Sequence, residues 1–179
     1  GYAELLLDAD GDFSPAQKVD FVEEILESTQ TLSKIIDDLL DITRFEKGRS
    51  LILNKAPVDI EKLLKNVVRH FKDHHAPQEV VLEGTVVDVA VEIDAMRIRQ
   101  VLENILSNAV KYSPAESRIT LCRENVPGGI QVTVTDEGVG MDERQLSKVF
   151  DKFFRADLSN TAIRGLGLGM SIVKQIVEL

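Results

Sequence analysis

Apolar residues recur along this chain with two periods, and the change between them divides it. Ser14 and Pro15 read as an N-cap and first helical residue, and no Gly or Pro interrupts the sequence from there to about Lys47. Within that span Val22, Ile25, Thr29, Leu32, Ile36, Leu39 and Thr43 are spaced alternately three and four apart. A period of 3.5 marks a coiled-coil seam. Ile35 and Ile42 widen the seam, as in a bundle of more than two helices. The segment fits either a hairpin that dimerises into a four-helix bundle or one long helix packed on its own domain. Residues Gly1 to Ala9 resemble the tail of a preceding helix, stopped by Asp10, Gly11 and Asp12.

After Gly48 helical and strand patterns alternate. Ser50 to Asn54 predicts a short strand. Asp59 caps a predicted helix to about His75, with Ile60, Leu63, Leu64, Val67, Val68 and Phe71 as its apolar side. Glu79 to Gly84 and Asp88 to Ile93 read as two strands around a turn, and Asp94 caps a central helix that Pro114 stops. Ser117 to Asn125 and Gly129 to Thr135 read as a hairpin turning at Val126-Pro127-Gly128-Gly129. A short helix from Asp142 to Phe150, a loop from Asp151 to Gly165 and a last helix through Leu179 complete the pattern. Mixed helices and strands with antiparallel pairs predict an α+β two-layer sandwich, preceded by the helical hairpin.

The central helix carries an unusual polar face. Ile98, Leu102, Ile105, Leu106 and Ala109 form its apolar stripe, while Asn104, Asn108 and Lys111 fall opposite, within roughly 60° of arc, with Tyr112 bordering them. Two amides and an ammonium suit a polyphosphate. An amide oxygen is a hard ligand for Mg²⁺ and adds no negative charge beside phosphates, and Lys supplies a point charge. Plain helix-surface amides are the competing reading.

Charge and composition narrow the ligand classes. The 179 residues carry a formal net charge of −9, with 44% hydrophobic and 28% charged residues. That balance argues against broad nucleic-acid binding. An acidic chain that binds an acidic nucleotide must use local donors and a metal. The single cysteine, Cys122, rules out an internal disulfide and fits a reducing compartment, hence a cytoplasmic location. No apolar run approaches a membrane span, so no membrane contact is expected of these residues. The opening GYAELLLD carries no helix-start signal, so the chain reads as part of something longer.

Three further motifs carry candidate chemistry. Asp136-Glu137-Gly138-Val139-Gly140 follows a strand. A carboxylate there can accept a hydrogen bond from an exocyclic amine, and Gly138 and Gly140 let backbone pass close to a ring; a plain Gly-rich turn has the same sequence. Phe150 to Arg155 places three of the seven phenylalanines in five residues, either as the anchor of a lid or as core. Arg155 can reach phosphate or solvent. Gly165-Leu166-Gly167-Leu168-Gly169 opens a helix whose N–H groups can cradle phosphates. It lacks both the Rossmann spacing and a Walker lysine, and a flexible linker is the alternative.

The order of these motifs resembles the sensor histidine kinases, within the superfamily shared with gyrase, Hsp90 and MutL. Asn104 to Tyr112 is similar to their N box, Asp136 to Gly140 to their G1 box, Phe150 to Phe154 to their F box, and Gly165 to Gly169 to their G2 box. Ser14 to Arg49 resembles the second helix of the dimerisation and histidine-phosphotransfer domain. The resemblance implies a hairpin domain over 1–49 and a catalytic ATP-binding domain over 50–179. The latter would be a Bergerat-type sandwich of a mixed sheet and three helices. It also implies ATP with Mg²⁺ as cofactors, Asn108 as metal ligand, and Asn104 and Lys111 at the phosphates. Tyr112 would lie beside the adenine and Asp136 on its amino group, with Gly138 and Gly140 shaping the pocket. Phe154, Arg155, Gly165, Leu166, Gly167, Leu168 and Gly169 would form the lid side. The implied partners are a second copy of the chain, through the hairpin, and a response-regulator receiver domain.

Three departures qualify that expectation. The family's phosphoacceptor histidine falls about three helical turns before the position of Gly1, so these residues should bind ATP without autophosphorylating. His70, His74 and His75 sit at the end of a helix elsewhere and read as solvated. Leu166 replaces a frequent small hydroxyl residue, and the family's last strand pair lies beyond Leu179. At the position of Asn104 the superfamily's hydrolases carry a water-activating Glu. An amide is a poor base, which favours transfer to a protein nucleophile over an ATP hydrolase. A non-catalytic dimerisation module is the other competing class.

Overall fold

The computed structural model describes residues 1–7, 13–46, 52–74, 77–85, 90–156 and 166–179. Two compact units emerge, Gly1–Gly48 and Arg49–Leu179.

The first unit is a pair of helices, α1 (Tyr2–Leu7) and α2 (Pro15–Glu46). The backbone N–H of Gln17 donates to Ser14 Oγ at 3.3 Å and that of Ser14 donates to Gln17 Oε1 at 2.9 Å. This reciprocal pair satisfies donors that a helix start leaves orphaned. Phe21 stacks against Tyr2 and Phe13, with ring centroids 5.4 and 5.1 Å away, so α1 and α2 share an aromatic contact. Along α2, Val22, Leu32, Ile36 and Leu39 lie exposed.

The second unit contains β1 (Ala56–Asp59), α3 (Ile60–His74), β2 (Glu79–Gly84), β3 (Ala90–Ile93), α4 (Ala95–Tyr112), β4 (Arg118–Val126), β5 (Gly129–Thr135), α5 (Glu143–Leu146) and α6 (Gly169–Val177). β1 and β3 pair antiparallel, Ala56 opposite Ile93. A mixed sheet runs β2-β4-β5, with β2 parallel and β5 antiparallel to β4. The sandwich expected from the sequence is present. Its core joins α3 (Leu64, Val67, Phe71), α4 (Leu102, Leu106, Ala109) and the sheet (Val80, Ile119, Leu121). Ile172, Val173 and Ile176 of α6 are also buried.

Local signals set most element ends. Asp94 caps α4 by accepting from the N–H groups of Met96 and Arg97 at 3.1 and 3.2 Å, and Asp59 Oδ1 accepts from Lys62 N at 2.9 Å. Asp142 and Gln145 form a capping box on α5. The β4–β5 hairpin turns through Pro127-Gly128, with Gly128 at φ +87°, conformational territory open to glycine.

Three expectations need correction. The strand expected over Ser50–Asn54 begins instead at Ala56; Ser50 and Leu51 lie outside the described residues, and 52–55 form no strand. Its apolar side chains Ile52 and Leu53 precede Pro57, which holds its own φ in the extended range. The strands read at 79–84 and 88–93 do not pair with each other. Glu79–Gly84 runs parallel to β4, and 90–93 pairs with β1, while Asp88 and Val89 lie outside the described residues. A short intervening segment suggests a hairpin, but β2 pairs with β4 and β3 with β1, so the two strands belong to separate sheets. The helix expected over 142–150 is confined to Glu143–Leu146 and gives way to turns.

Candidate functional site

The site is organised on α4, and each other motif touches it or touches a neighbour that does. Asn104 is only 4% exposed, which corrects its assignment to an outward face. Its Nδ2 donates to Gly169 O at 3.4 Å, and a Cβ on Gly169 would lie 3.4 Å from Asn104 Oδ1. The α4–α6 junction covers this amide, because α6 packs over α4 on the side that helical spacing alone leaves open. Asn108, Lys111 and Tyr112, further along the same helix, stay half-exposed.

Asp136 leaves the end of β5 and folds a tight turn, its Oδ1 accepting from Gly138 N at 2.8 Å. A Cβ at Gly138 would come within 2.6 Å of that oxygen and 3.0 Å of Tyr112 O. A side chain there would crowd both oxygens, so the Asp136 turn rests directly on the last turn of α4. That contact brings Asp136 and Gly138 to the end of the helix where Lys111 and Tyr112 sit. Gly140 follows at φ +68°.

The electrostatics of this end are distinctive. Burial pushes the Lys111 ammonium below its ordinary pKa, and the positive charge of Arg155 adds to the effect. Lys111 Nζ lies 5.2 Å from the centre of the Tyr112 ring. The two cations come from distant parts of the chain, and the charge of one is felt by the other.

The aromatic and last glycine motifs meet backbone to backbone. Phe153 adopts φ +63°, uncommon for a bulky residue, and its N–H donates to Gly167 O at 3.1 Å. Gly167 is at φ +72°, and a Cβ there would sit 2.5 Å from Phe154 O. Phe153 is exposed and Phe154 half-buried. Leu166 is exposed, whereas Leu168 is buried at 2% exposure, so its side chain belongs to the core. Gly165 lies outside the described residues, as does His75; α3 ends at His74.

A site for a bare metal ion is not built here. Among the described residues no group of three or more His, Cys, Asp or Glu side chains could hold one. A cation at Asn108 needs phosphate oxygens to complete its shell, the usual situation for Mg²⁺.

Sequence reading missed two polar residues beneath this framework. Gln78, 8% exposed, donates from Nε2 to Val110 O at 3.0 Å and Ser113 O at 3.2 Å, where α4 ends. Arg123, on the inward face of β4, donates to both Glu61 carboxylate oxygens at 2.6 and 2.7 Å and to Glu83 O at 2.8 Å. Glu61 is held below the usual carboxylate range, first by that hydrogen bond. No local motif announces either residue. The inward parity of Arg123 in the alternating strand was the one available signal.

Comparison with known proteins places the chain in a family. The family of histidine kinase-, DNA gyrase B- and HSP90-like ATPases matches residues 93–179. The His Kinase A phospho-acceptor domain matches residues 1–48. The chain belongs to the sensor histidine kinases. This histidine-kinase chain is 32% identical to the sensor histidine kinase WalK of Bacillus subtilis over 156 residues, covering 84% of the chain and 25% of WalK. It spans 20–31% of the length of the first curated relatives it matches. Among solved structures, full-length ShkA in complex with AMPPNP aligns at TM-score 0.74 and 27% identity, over 98% of the chain and 36% of ShkA. ThkA in complex with the response regulator protein TrrA aligns at TM-score 0.66 and 22% identity, over 99% of the chain and 49% of that structure, a likeness of fold. Histidine kinases pair these two domain types, and the two matches fall one in each compact unit.

Proposed function

We propose that these residues form the ATP-binding kinase core of a two-component sensor, with an adenine nucleotide held between the last turns of α4 and the Asp136 turn. One observation carries the reading: the backbone of Gly138 packs on Tyr112 O, which seats the Asp136 turn against the last turn of α4, the turn that carries a half-buried Lys111 already feeling Arg155. The residues fit the group. Asp136 would read the adenine amino group, Tyr112 would flank the ring, and Gly138 and Gly140 would shape its pocket. Lys111, Arg155 and the backbone from Gly165 to Gly169 would meet the phosphates, and Asn108 would hold Mg²⁺ with them. Asn104, buried against Gly169, would tie that glycine segment to α4. The AMPPNP bound to ShkA supports the assignment.

The bound nucleotide supplies a γ-phosphoryl group whose transfer depends on positioning and charge neutralisation. Asn104 offers no base to activate water, which disfavours the hydrolase reading. The acceptor in the intact protein would be a histidine of the helical hairpin, whose neutral ring nitrogen bonds the γ-phosphorus as ADP departs. The phosphate would pass on to an Asp of a response regulator, a class of partner present in the ThkA complex. Residues 1–48 hold no histidine, so the 179 residues should bind ATP without labelling themselves. The exposed apolar seam of α2 supports a homodimer through the hairpin. Among the described residues no helix is long and apolar enough to cross a membrane, and the single cysteine supports a cytoplasmic setting.

Titration calorimetry with Mg²⁺ and ADP tests the site. The chain should bind, and Asp136→Asn should weaken binding at least about tenfold, the scale of one lost hydrogen bond to a charged group. Absence of heat and of thermal stabilisation in the unaltered chain would return the module to a scaffold role. Steady ATP turnover would return it to the hydrolases.

A further inference from the structure

We infer that Gln78 is a positioning residue for the nucleotide site: it clamps the last turn of α4 and thereby sets where Lys111 and Tyr112 meet the Asp136 turn. The inference rests on the proposed nucleotide reading, and it concerns a residue well separated in sequence from every motif of that reading.

A helix leaves its last four carbonyls without intrahelical donors. In α4 that group of carbonyls surrounds the functional end, and the chain turns extended at Ser113 (φ −90°, ψ 147°). Pro114 has no N–H to offer. Ser113 N donates back to Ala109 O at 3.1 Å, while Gln78 supplies the donor for both Val110 O and Ser113 O. Those two carbonyls bracket Lys111 and Tyr112 in sequence. Tyr112 O in turn faces Gly138. One amide group therefore sits two contacts from the Asp136 turn and holds the carbonyls on either side of Lys111 and Tyr112 in sequence.

The surrounding backbone holds Gln78 in place. Glu116 N donates to Pro77 O at 2.9 Å and Glu79 N donates to Ser117 O at 2.9 Å. The residues flanking Gln78 are thus stitched to the loop that follows α4, and its side chain is delivered under the helix end. Its placement is not a by-product of easy burial. Gln78 Oε1 and Ser113 Oγ are both buried without a hydrogen-bond partner among the described residues, and each such group costs free energy. A leucine or methionine would bring no orphaned oxygen of its own, but would take away the donor to Val110 O and Ser113 O. The chain retains an amide whose NH₂ is what the helix end uses.

The test uses Gln78→Met, which keeps the volume and removes the donor, and Gln78→Glu, which replaces the donor with a carboxylate acceptor beside a helix C-terminus. Two readouts are taken well below each variant's unfolding temperature. The first is amide hydrogen exchange at Lys111, Tyr112, Ser113 and Gly138 in the nucleotide-free chain. The second is the affinity for Mg·ADP. Both variants should speed exchange at those amides and leave the core of β4 unchanged. Affinity should fall about tenfold in Gln78→Met, the scale of one lost buried hydrogen-bonding partner, and further in Gln78→Glu. Unchanged exchange in the last turn overturns the inference whether or not nucleotide binds. Faster exchange with wild-type affinity also overturns it, since the clamp would then be purely structural. If the unaltered chain binds no Mg·ADP, the nucleotide reading fails, and the positioning role falls with it even where exchange responds.

Discussion

Helices α2 and α4 are both amphipathic, yet their apolar residues meet different fates. On α4, Leu102 and Leu106 are 4% and 0% exposed. On α2, the equivalent stripe at Val22, Leu32 and Ile36 stays 50–57% exposed. The α4 stripe is finished by its own sheet and by α3 and α6. The α2 seam has period 3.5, the spacing of helices that pack on another helix. The same physical pattern is thus a core in one unit and, in the homodimer we propose, an interface in the other. Polar residues follow the same logic, since Asn104 is buried on α4 only because α6 folds over it.

The sharpest break of this comparison is a matched pair of truncations. Leu106→Ala should cost about 3 kcal/mol in chemical denaturation, the transfer term plus an unfilled cavity. Leu32→Ala should stay within about 0.5 kcal/mol in dilute, monomeric samples. Equal costs would mean that the α2 seam is already covered within one chain.

Next comes the interface itself. Leu32→Glu together with Ile36→Glu should weaken self-association at least tenfold, because burying each apolar side chain is worth roughly 1.5 kcal/mol or more. Sedimentation equilibrium reads this directly. An unaltered chain that is monomeric at all concentrations, or a double variant that associates as well, would remove the dimer proposal and leave the seam for a different partner.

Lys111 sharpens the contrast within α4. Its folded pKa lies below the ordinary lysine value, so the charged form is disfavoured by folding. That cost is fully present at neutral pH and fades as pH rises through the lowered pKa. Polyphosphate reverses the preference. Lys111→Met should therefore raise the melting temperature slightly while weakening Mg·ADP binding about tenfold. In the unaltered chain, affinity should decline in the alkaline range, with proton uptake on binding. Affinity independent of pH there would detach Lys111 from the phosphates.

The smallest effect concerns the frame. Glu61 has a folded pKa below its unfolded value. It therefore contributes stability above the unfolded pKa and loses it as pH falls through the folded one. Glu61→Gln should lower stability at neutral pH by about 1 kcal/mol or less, discounted for solvent access, and flatten the acid limb of the melting profile. An unchanged acid limb would show that Arg123 is held by Glu83 O alone.

Much of this was readable along the chain because the responsible contacts are short-range. Asp59, Asp94 and Asp142 cap helices through N–H groups two or three residues away. The β4–β5 hairpin turns on Pro127-Gly128, and Asp136 bonds to Gly138. Glycines at 138 and 167 could be flagged by type, but Tyr112 O, which with the local Asp136 carboxylate crowds position 138, and Phe154 O, which excludes a side chain at 167, come from other segments. Gln78 and Arg123 escaped notice for the same reason: their partners lie 32 to 62 residues away.

By itself the sequence determined the long helices, the aspartate caps, the seam of α2, the tight turns and the order of the four motifs. These follow from backbone sterics, side-chain periodicity and hydrogen bonds that close within a few residues. Tertiary structure alone decided that β2 joins β4 rather than β3, that Asn104 goes inside and that an amide from before β2 holds the end of α4. Each of those outcomes turns on which distant faces exclude water together, and chain proximity carries no information about that.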